Sequence, residues 1–394
     1  MIETSLAAIE ANSDRLLGRV LVERIGTPEA TVRAETGAGA PTASPRKIAN
    51  HHQAIAVAVG MLKGDHDIEA VGHRVVHGGE KFSAPAELND AVAREIEELN
   101  ELAPLHNPAN LEGYRAARAV LPGARQVAVF DTAFHHTLAP RAYVYGLPDA
   151  LWRKYKVRRY GFHGSSHRYV AGRYAQLHGS AGDDYNLITC HLGNGCSIAA
   201  IHGGKSVDTS MGFTPLEGLL MGTRSGDIDA GAVLYLMAKE GLTAGQMDDL
   251  LNRQCGLYGL STASNDMRKL LELSLGGHAG ARLAVETFCY RAKKYVGAYY
   301  AALNGCDGVI FTGGIGENAP AIRAAICGPL DALGIRLDPA RNARAVGIEM
   351  NIAADDSRVE VWVVPTDEGL IIARDTLRCL EGAAQTRQPG RESS

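Results

Sequence analysis

The amino-acid sequence predicts an α/β protein with two domains. Its 394 residues exceed what one ordinary hydrophobic core accommodates, and its 46% apolar and 21% charged residues are the balance of a soluble globular chain. Strand-like apolar runs alternate with helical ones, and glycine pairs mark tight hairpins between some of the strands. These observations favour sheets with antiparallel hairpins rather than a uniform series of βαβ units.

Strands are expected where apolar, β-branched runs are bounded by turn residues. These runs cover residues 69–76, 126–131, 186–192, 197–201, 206–210, 307–313 and 358–364. Asn194-Gly195 and Gly203-Gly204 are hairpin signals. The three runs that they separate therefore predict an antiparallel meander.

Helices are expected at residues 88–102, 111–120, 229–240 and 280–303. In the last of these, apolar residues recur at steps of three and four, which indicates a buried face or a subunit interface. The small, proline-containing residues 34–46 predict a surface loop. The polar tail from Glu381 onward predicts disorder.

Charge and composition exclude several classes of function. The formal net charge of −4 gives no case for a nucleic-acid partner. The longest apolar run is about half of what a membrane span needs, and the acidic N-terminus lacks the basic start of a signal peptide. The seven scattered cysteines favour free thiols in a reducing cytoplasm, and no histidine spacing is typical of a zinc site.

Two glycine-rich turns are candidates for phosphate binding. In the first, Gly193-Asn194-Gly195, main-chain N–H groups without bulky side chains around them form a concavity that suits an anion. The second, FTGGIGEN at 311–318, follows an apolar strand and leads into a helix, an arrangement that accepts nucleotide phosphate or ribose. Taken alone, the first turn is more typical of a plain tight hairpin, and it is the presence of both turns that favours a nucleotide site.

Arg74 and Arg224 are candidates for binding an anionic substrate. Both lie in glycine-rich, uncharged segments, GHRVVHGG and MGTRSGDID, whereas structural arginines usually lie among other charges on a helix face. A guanidinium group suits a carboxylate or a transferring phosphoryl group. The alternative for Arg224 is an internal salt bridge to Asp227 or Asp229.

Three more positions carry polar groups next to strands or glycines. Asp131 ends the run QVAVFD, where its carboxylate suits a metal or a substrate, or equally caps the next segment. His163 could donate a hydrogen bond to developing negative charge, or be a satisfied core or surface histidine. Asp367 and Glu368 follow the last expected strand and offer carboxylates suited to Mg²⁺.

From about residue 18 to 380, the chain resembles the acetate kinases. The matching segments are, in order, GHRVVHGGEKF, LAPLHNP, VFDTAFHHT, RRYGFHGSSH, ITCHLGNGCSI, DTSMGFTPLEGLLMGTRSGDID, SNDMR and FTGGIGEN. The resemblance implies the fold of sugar kinases, actin and heat-shock ATPases, with two duplicated ribonuclease H-like domains and a cleft between them. It places these domains at 1–131 with 369–394, and at 132–368.

The resemblance also implies a reaction and roles for single residues. The reaction is the reversible transfer of the ATP γ-phosphoryl group to acetate, giving ADP and acetyl phosphate, with Mg²⁺ or Mn²⁺, in a cytoplasmic homodimer. Arg74 and Arg224 resemble the residues that hold the carboxylate and the transferring group, and His163 resembles the transition-state stabiliser. Asp131 resembles the catalytic carboxylate that engages substrate or metal, and Glu368 resembles the magnesium ligand.

Three groups of residues are implied to surround the substrates. The β/γ-phosphate loop is His191, Leu192, Gly193, Asn194 and Gly195. The adenosine site is Asp266, Met267, Arg268, Gly314, Ile315, Gly316, Glu317 and Asn318. The wall of the acetate methyl pocket is Val76, Leu105, Phe162 and Pro215.

The N-terminus departs from the family pattern. Family members begin with a strand that ends in Asn-x-Gly-Ser-Ser-Ser and forms a phosphate hairpin, whereas this chain begins MIETSLAAIEANSDR and joins the pattern at 21–26. We interpret Thr4-Ser5-Leu6 as a remnant of the serine turn and the first strand as absent, which would expose a sheet edge. Met267 and Gly369 also differ from the residues usual at their positions.

Two alternative functions follow. Without the first phosphate hairpin, the chain could be a catalytically impaired binder of nucleotide or carboxylate. It could instead be a propionate or butyrate kinase, because one methylene in a methyl pocket is worth only about 1–3 kcal/mol of discrimination.

Overall fold

The computed structural model describes residues 3–10, 13–36, 42–63, 67–104, 106–180 and 185–386. The chain divides into two compact units, one formed by Met1–Ala133 with Asp367–Ser394 and the other by Phe134–Thr366. Glu368, which the expected boundaries assign to the second domain, belongs to the first unit.

The first unit contains two sheets and four longer helices among its described residues. Its elements are β1 (Glu3–Ile9), β2 (Leu16–Glu23), β3 (Thr31–Thr36), β4 (Thr42–Pro45), α1 (His51–Lys63), β5 (Ala70–Val75), β6 (Ala86–Glu87), α2 (Asp90–Glu98), α3 (Asn107–Val120), β7 (Arg125–Phe130) and, at the end of the chain, α15 (Glu368–Thr386). Strands β1 to β4 form one antiparallel sheet in sequence order, and the other has the order β5-β7-β6. In the second sheet β5 and β7 are parallel.

Alternating residues of β2 and β3 bury one face of the first sheet. Val20, Val22 and Val32 pack on Ala54 and Ala58 of α1, whose small side chains let the helix approach closely. The second sheet is covered on one face by α15, where Leu380 contacts Val127 and Val129. Helices α2 and α3 cover its other face with residues such as Ile96 and Leu111.

Three local expectations for the first unit are wrong. Residues 34–36 and 42–45 belong to β3 and β4 rather than to a loop, because main-chain pairing forms a sheet even from small residues. Thr4-Ser5-Leu6 lies within β1, paired with Val22, Leu21 and Val20 of β2, and is not a turn. Residues 381–386 continue α15.

The described residues of the second unit contain one continuous sheet. Its elements are α4 (Pro140–Tyr143), α5 (Asp149–Tyr155), α6 (Gly164–Leu177), β8 (Asn186–Leu192), β9 (Cys196–His202), β10 (Lys205–Thr209), α7 (Ala230–Glu240), α8 (Ala244–Asp249), α9 (Gly256–Ser261), α10 (Met267–Leu275), α11 (Ala279–Leu303), β11 (Gly308–Thr312), α12 (Gly313–Asn318), α13 (Pro320–Cys327), α14 (Pro339–Arg344), β12 (Met350–Asn351) and β13 (Glu360–Val363). The strand order is β10-β9-β8-β11-β13-β12. The expected meander of β8, β9 and β10 is confirmed by their antiparallel ladders.

Helix α11 buries the apolar stripe expected from its sequence. Phe288, Ala292, Val296 and Tyr299 are all buried, so this stripe faces the core of its own unit. Among the described residues, no helix has the length and apolar character needed to cross a bilayer.

Candidate active site

The glycine turn between β8 and β9 is a bare connection with charged and aromatic neighbours. Leu192 pairs with Cys196 across the hairpin, and the N–H of Gly193 donates to the carbonyl of Gly195 over 3.1 Å. A Cβ atom added at Gly195 would lie 3.3 Å from Nη1 of Arg224 and 3.5 Å from Nε2 of His163. The structure therefore brings this turn, Arg224 and His163 together.

The guanidinium group of Arg224 is held by neutral groups. Its Nη1 donates to the carbonyl of Pro215 over 3.2 Å and contacts the sulfur of Met221 at 3.6 Å. Within the described part of the chain, no carboxylate forms a salt bridge with it. Burial lowers the pKa of Arg224 below its ordinary value, because burial disfavours the charged form.

The alternative salt bridge of Arg224 to Asp227 or Asp229 is wrong, because both carboxylates are engaged elsewhere. Asp227 binds Arg291 at 3.3 Å and the hydroxyl of Tyr295 at 2.8 Å. Asp229 caps α7 by accepting from the N–H of Gly231. Arg224 is thus a partly buried cation that an anionic guest could neutralise.

His163 stands at the start of α6 in a left-handed backbone conformation, with a φ of 56°. Its Nδ1 lies 2.9 Å from the hydroxyl oxygen of Ser197, and its ring stacks on that of His191 with centroids 4.3 Å apart. His191 is itself 2.8 Å from the hydroxyl of Ser166. The contacts on both rings fix the imidazole of His163 beside the glycine turn.

A second layer of histidines supports this arrangement. The Ser197 hydroxyl lies 2.7 Å from Nε2 of His167, whose Nδ1 lies 2.7 Å from the hydroxyl of Thr189. Complete burial holds the pKa of His167 well below 6.5. Burial also lowers the pKa of His135, which stacks edge-on against His167, to about 4. Both rings are neutral at pH 7.

The segment that contains Asp266 approaches the same turn. The side-chain amide of Asn265 donates to Oδ1 of Asn194 over 3.2 Å. Asp266 caps α10 by accepting from the N–H of Arg268, and the two side chains form an ion pair at 2.6 Å. Met267 is buried. Residues 266–268, which are expected at the adenosine site, therefore directly follow a residue that contacts the glycine turn.

The second glycine-rich segment begins against the end of β8. Gly313 has a φ of +75°, and a Cβ atom there would lie 2.8 Å from the carbonyl oxygen of Leu192. Residues Gly314, Ile315, Gly316, Glu317 and Asn318 then form the short helix α12. The Glu317 carboxylate accepts from the N–H groups of Gly313 and Thr366. It therefore links the main chain of these two segments.

In the first unit, Arg74 and Asp131 form a bidentate ion pair. Nε and Nη2 of Arg74 donate to the two carboxylate oxygens of Asp131 over 3.0 and 2.6 Å. Glu368, in the first turn of α15, lies 3.6 Å from Nε of the same guanidinium. The two carboxylates raise the pKa of Arg74 above its ordinary value. Asp131 is buried, whereas 43% of the Arg74 side chain is exposed.

Of the four residues expected to surround the substrate methyl group, the structure describes three. Val76 is buried in the first unit, where its N–H donates to Oδ1 of Asn110 over 3.0 Å. Phe162 is buried in the second unit, and Pro215 contacts Arg224 there. Leu105 lies outside the described residues.

Glu368 is the residue expected to bind magnesium, and Asp131, both of whose oxygens accept from Arg74, is expected to engage substrate or metal. Among the residues that the structure describes, no group of three or more histidine, cysteine or acidic side chains is arranged so that it could hold a metal ion. Mg²⁺ is compatible with this, since it usually keeps several waters and takes one or two carboxylates together with substrate phosphates. Both carboxylates lie near Arg74, and Glu368 keeps 28% of its side chain exposed.

Sequence reasoning missed the residues that position the others. Ser197 bridges His163 and His167, and Asn265 holds Asn194. The four-residue step from His163 to His167 was a usable signal, because it places both rings on one face of a helix. The Ser197 contact joins β9 to α6, so no local pattern indicates it.

The chain is similar to known proteins along almost its whole length. The profile of the Acetokinase family matches residues 2–374. The acetate kinase of Halothermothrix orenii is 49% identical over 381 residues, which cover 94% of this chain and 95% of that protein.

Two solved structures have the same fold. The acetate kinase of Porphyromonas gingivalis is 43% identical with a TM-score of 0.89, over 96% of this chain and 97% of that one. A propionate kinase of Francisella tularensis is 38% identical with a TM-score of 0.90, over 95% and 96%. The expected α/β fold of actin-like domains is confirmed. The family match begins at residue 2, earlier than the residue near 18 that the sequence segments indicate.

Proposed function

The chain belongs to the acetokinase family, and on that premise we propose that it is an acetate kinase. It transfers the γ-phosphoryl group of ATP to acetate, reversibly, giving ADP and acetyl phosphate. The observation that carries this proposal is the position of Arg224, a cation without a carboxylate partner among the described residues, beside the bare turn 193–195.

The reaction needs cations and positioned donors more than a base. A small carboxylic acid, with a pKa near that of a Glu side chain at about 4.3, is already ionised at pH 7. Two anions must therefore meet, and in-line phosphoryl transfer depends mainly on positioning and charge neutralisation. Arg224 supplies charge, His163 supplies a donor, and the N–H groups of Asn194 and Gly195 bind phosphate oxygens.

The first unit carries two carboxylates, Asp131 and Glu368, beside Arg74. Bound Mg²⁺ supplies positive charge to the phosphate oxygens. Glu368 and Asp131 are the residues that would hold it, with Arg74 fixing the orientation of Asp131 through its two hydrogen bonds. Arg74 keeps an exposed portion of its guanidinium side chain for a substrate carboxylate.

Propionate is the second candidate substrate. A propionate kinase is among the proteins with this fold, at 38% identity, but the acetate kinases reach 49%. One methylene in the pocket is worth only about 1–3 kcal/mol of transition-state binding, which sets the ratio of the kcat/KM values for the two acids. Measuring kcat/KM for acetate, propionate and butyrate decides between them, and a clear preference for propionate would reassign the substrate.

The Arg224→Ala variant tests the proposal. We expect the variant to fold normally and to lose turnover by a factor on the order of 100 or more, as when one preorganised donor to a transition state is removed. The measurement is a coupled assay of ADP formation from ATP and acetate. The matched control is Arg336→Ala, which removes exposed ion pairs with Asp331 and Asp356, neither of which is a candidate site residue.

Near-normal turnover of Arg224→Ala would contradict its role. A wild-type chain that binds ATP without turnover would instead support the impaired binder.

We also propose that the enzyme is a homodimer. None of the residues in α7 is buried, and the apolar side chains Leu234 and Tyr235 are 68% and 60% exposed. A second copy of the chain would cover this apolar face. Light scattering of the wild type and of Leu234→Glu tests this, and a monomeric wild type would overturn it.

A cytoplasmic location is proposed on the state of the cysteines. All seven are free thiols in the structure. Free thiols suit a reducing compartment.

A further inference from the structure

The pocket loop, residues 209–218, connects two parts of the candidate site within the second unit. The carbonyl of Gly212 accepts from the N–H of Gly161 over 3.3 Å, two residues before the candidate histidine. Three residues further on, the carbonyl of Pro215 accepts from Nη1 of Arg224 over 3.2 Å. Pro215 is also expected to wall the methyl pocket. The course of this loop therefore affects both a candidate cation and the pocket wall.

The guanidinium group of Arg159 holds the two ends of the pocket loop together. Its Nη1 donates to three successive carbonyl oxygens, those of Thr209, Ser210 and Met211, over 2.9, 3.1 and 3.0 Å. Its Nη2 donates to the carboxylate of Glu217 over 2.5 Å. Only 16% of the Arg159 side chain is exposed, so water screens this ion pair less than it screens a surface pair.

The hydroxyl of Tyr145 holds the middle of the same loop. It accepts from the N–H of Phe213 over 2.8 Å and donates to the second oxygen of the Glu217 carboxylate. Burial, together with the hydrogen bond to Glu217, raises the pKa of Tyr145 above its ordinary value. The hydroxyl therefore keeps its proton at pH 7, and both of its hydrogen bonds are made at once.

Gly212 is the point where these side chains meet the main chain. A Cβ atom added there would overlap both the Glu217 carboxylate and the Tyr145 hydroxyl. The loop is thus packed against the two polar groups without space for a side chain between them. Loss of the Tyr145 hydroxyl would leave the N–H of Phe213 and one oxygen of Glu217 each without this partner, which favours a shift of the loop.

We propose that Tyr145 and Glu217 are positioning residues that set the selectivity of the enzyme for the length of its carboxylic acid substrate. They fix the main chain on both sides of Pro215, and so place its ring at the pocket and its carbonyl at Arg224. Both act through Pro215 rather than by contact with the substrate. This inference rests on the proposed kinase function and adds the residues that control which acid fits.

The Tyr145→Phe variant tests the inference through selectivity. One methylene in a rigid pocket is worth roughly a 10- to 200-fold preference, and a loosely held wall discriminates less. With ATP saturating, we expect the ratio of kcat/KM for acetate to that for propionate to move at least about threefold toward one. The KM for ATP should stay within about twofold, since the phosphate-binding turn is not part of this network.

Amide exchange reports on the loop without any catalysis. The N–H of Phe213 loses its acceptor in Tyr145→Phe, so its exchange should become at least about tenfold faster. The matched control is Tyr174→Phe, which also removes a buried tyrosine hydroxyl bonded to a glutamate, Glu360, but at the end of α6 away from the candidate histidine. This control should change neither the selectivity ratio nor the exchange at Phe213.

A double-mutant cycle tests whether the two residues act as one unit. Glu217→Gln should shift selectivity in the same direction as Tyr145→Phe, and the double variant should go less than about twofold beyond the larger single effect. Additive effects would show separate actions and contradict the inference.

The outcomes separate this inference from the function on which it rests. A wild type that transfers phosphate to neither acid contradicts the proposed function and this inference with it. An active wild type contradicts the inference alone if it has no preference between the acids, if Tyr145→Phe keeps the wild-type ratio, or if Tyr174→Phe changes the ratio equally.

Discussion

Strand β11 of the second unit has a parallel neighbour on each side, β8 and β13, whereas β5 of the first unit has only β7 among the described residues. All five residues of β11 are buried, but most of β5 is half-buried. The sequences differ too, since GVIFT has no charged residue whereas AVGHRV contains His73 and Arg74. Burial of a central strand therefore depends on its neighbours as well as on its own side chains.

The same difference separates the two candidate binding surfaces. In the second unit, β8 is a buried internal strand that leads directly into the glycine turn 193–195, so the candidate phosphate-binding groups there are main-chain groups. In the first unit, the functional groups are side chains, Arg74 on β5 and Asp131 just after β7. Their proximity follows from parallel pairing of Val75 with Phe130, which places both strand ends together.

Amide exchange gives the largest expected contrast between the units. Amides of β11 on both sides of the strand should exchange only with global unfolding. Those of Ala70, Gly72 and Arg74, which point away from β7, should exchange at least about a thousandfold faster, since no described strand pairs with that edge of β5. Hydrogen-exchange mass spectrometry with residue-level fragmentation measures this. Equal protection of odd and even residues in β5 would show that the edge is closed.

A matched pair of valine truncations should differ in stability. Val309→Ala in β11 removes a fully buried side chain and should lower the free energy of unfolding by about 2–3 kcal/mol. Val71→Ala in β5 removes a half-buried one and should cost about 1 kcal/mol or less. Urea denaturation followed by circular dichroism checks both, and equal losses would contradict the contrast.

Acid should destabilise the second unit through its neutral histidines. The pKa of His135 is about 4 in the folded chain against 6.5 when exposed, so below about pH 6.5 the unfolded state binds a proton that the folded state does not. Stability is therefore lost as the pH falls from about 6.5 to about 4, by up to about 1.4 kcal/mol per pH unit for this group.

The pH effect is isolated by comparing His135→Gln with the wild type in urea at pH 7.0 and 5.5. The variant should lose about 1 kcal/mol less than the wild type over this interval. An identical loss in both proteins would mean that His135 takes up its proton in the folded state.

The sequence predicted the second unit better than the first, for physical reasons. Strands β8 to β11 carry apolar runs and glycine hairpins, which are local signals. The sheet of β1 to β4 uses residues such as Ala34, Thr42 and Ala43, whose side chains carry no strand pattern; it is formed by main-chain pairing with partners elsewhere in the chain.

The sequence indicated which residues belong to the candidate site, but it did not indicate which groups each of them contacts. The uncharged surroundings of Arg74 and Arg224 look alike in sequence, yet one guanidinium is bound by Asp131 and the other by a carbonyl and a sulfur. Arg74 meets a carboxylate because β5 pairs with β7, which brings it to Asp131, 57 residues further along the chain. Ser197 could not be anticipated for the same reason.

The left-handed backbone at position 163 limits how the imidazole can be studied. Most replacements there add the conformational cost of a positive φ, whereas asparagine and glycine accept it readily. A slow alanine variant would thus combine a lost ring with a distorted entry into α6. His163→Asn keeps the bend, so its kinetics would isolate what the ring itself contributes.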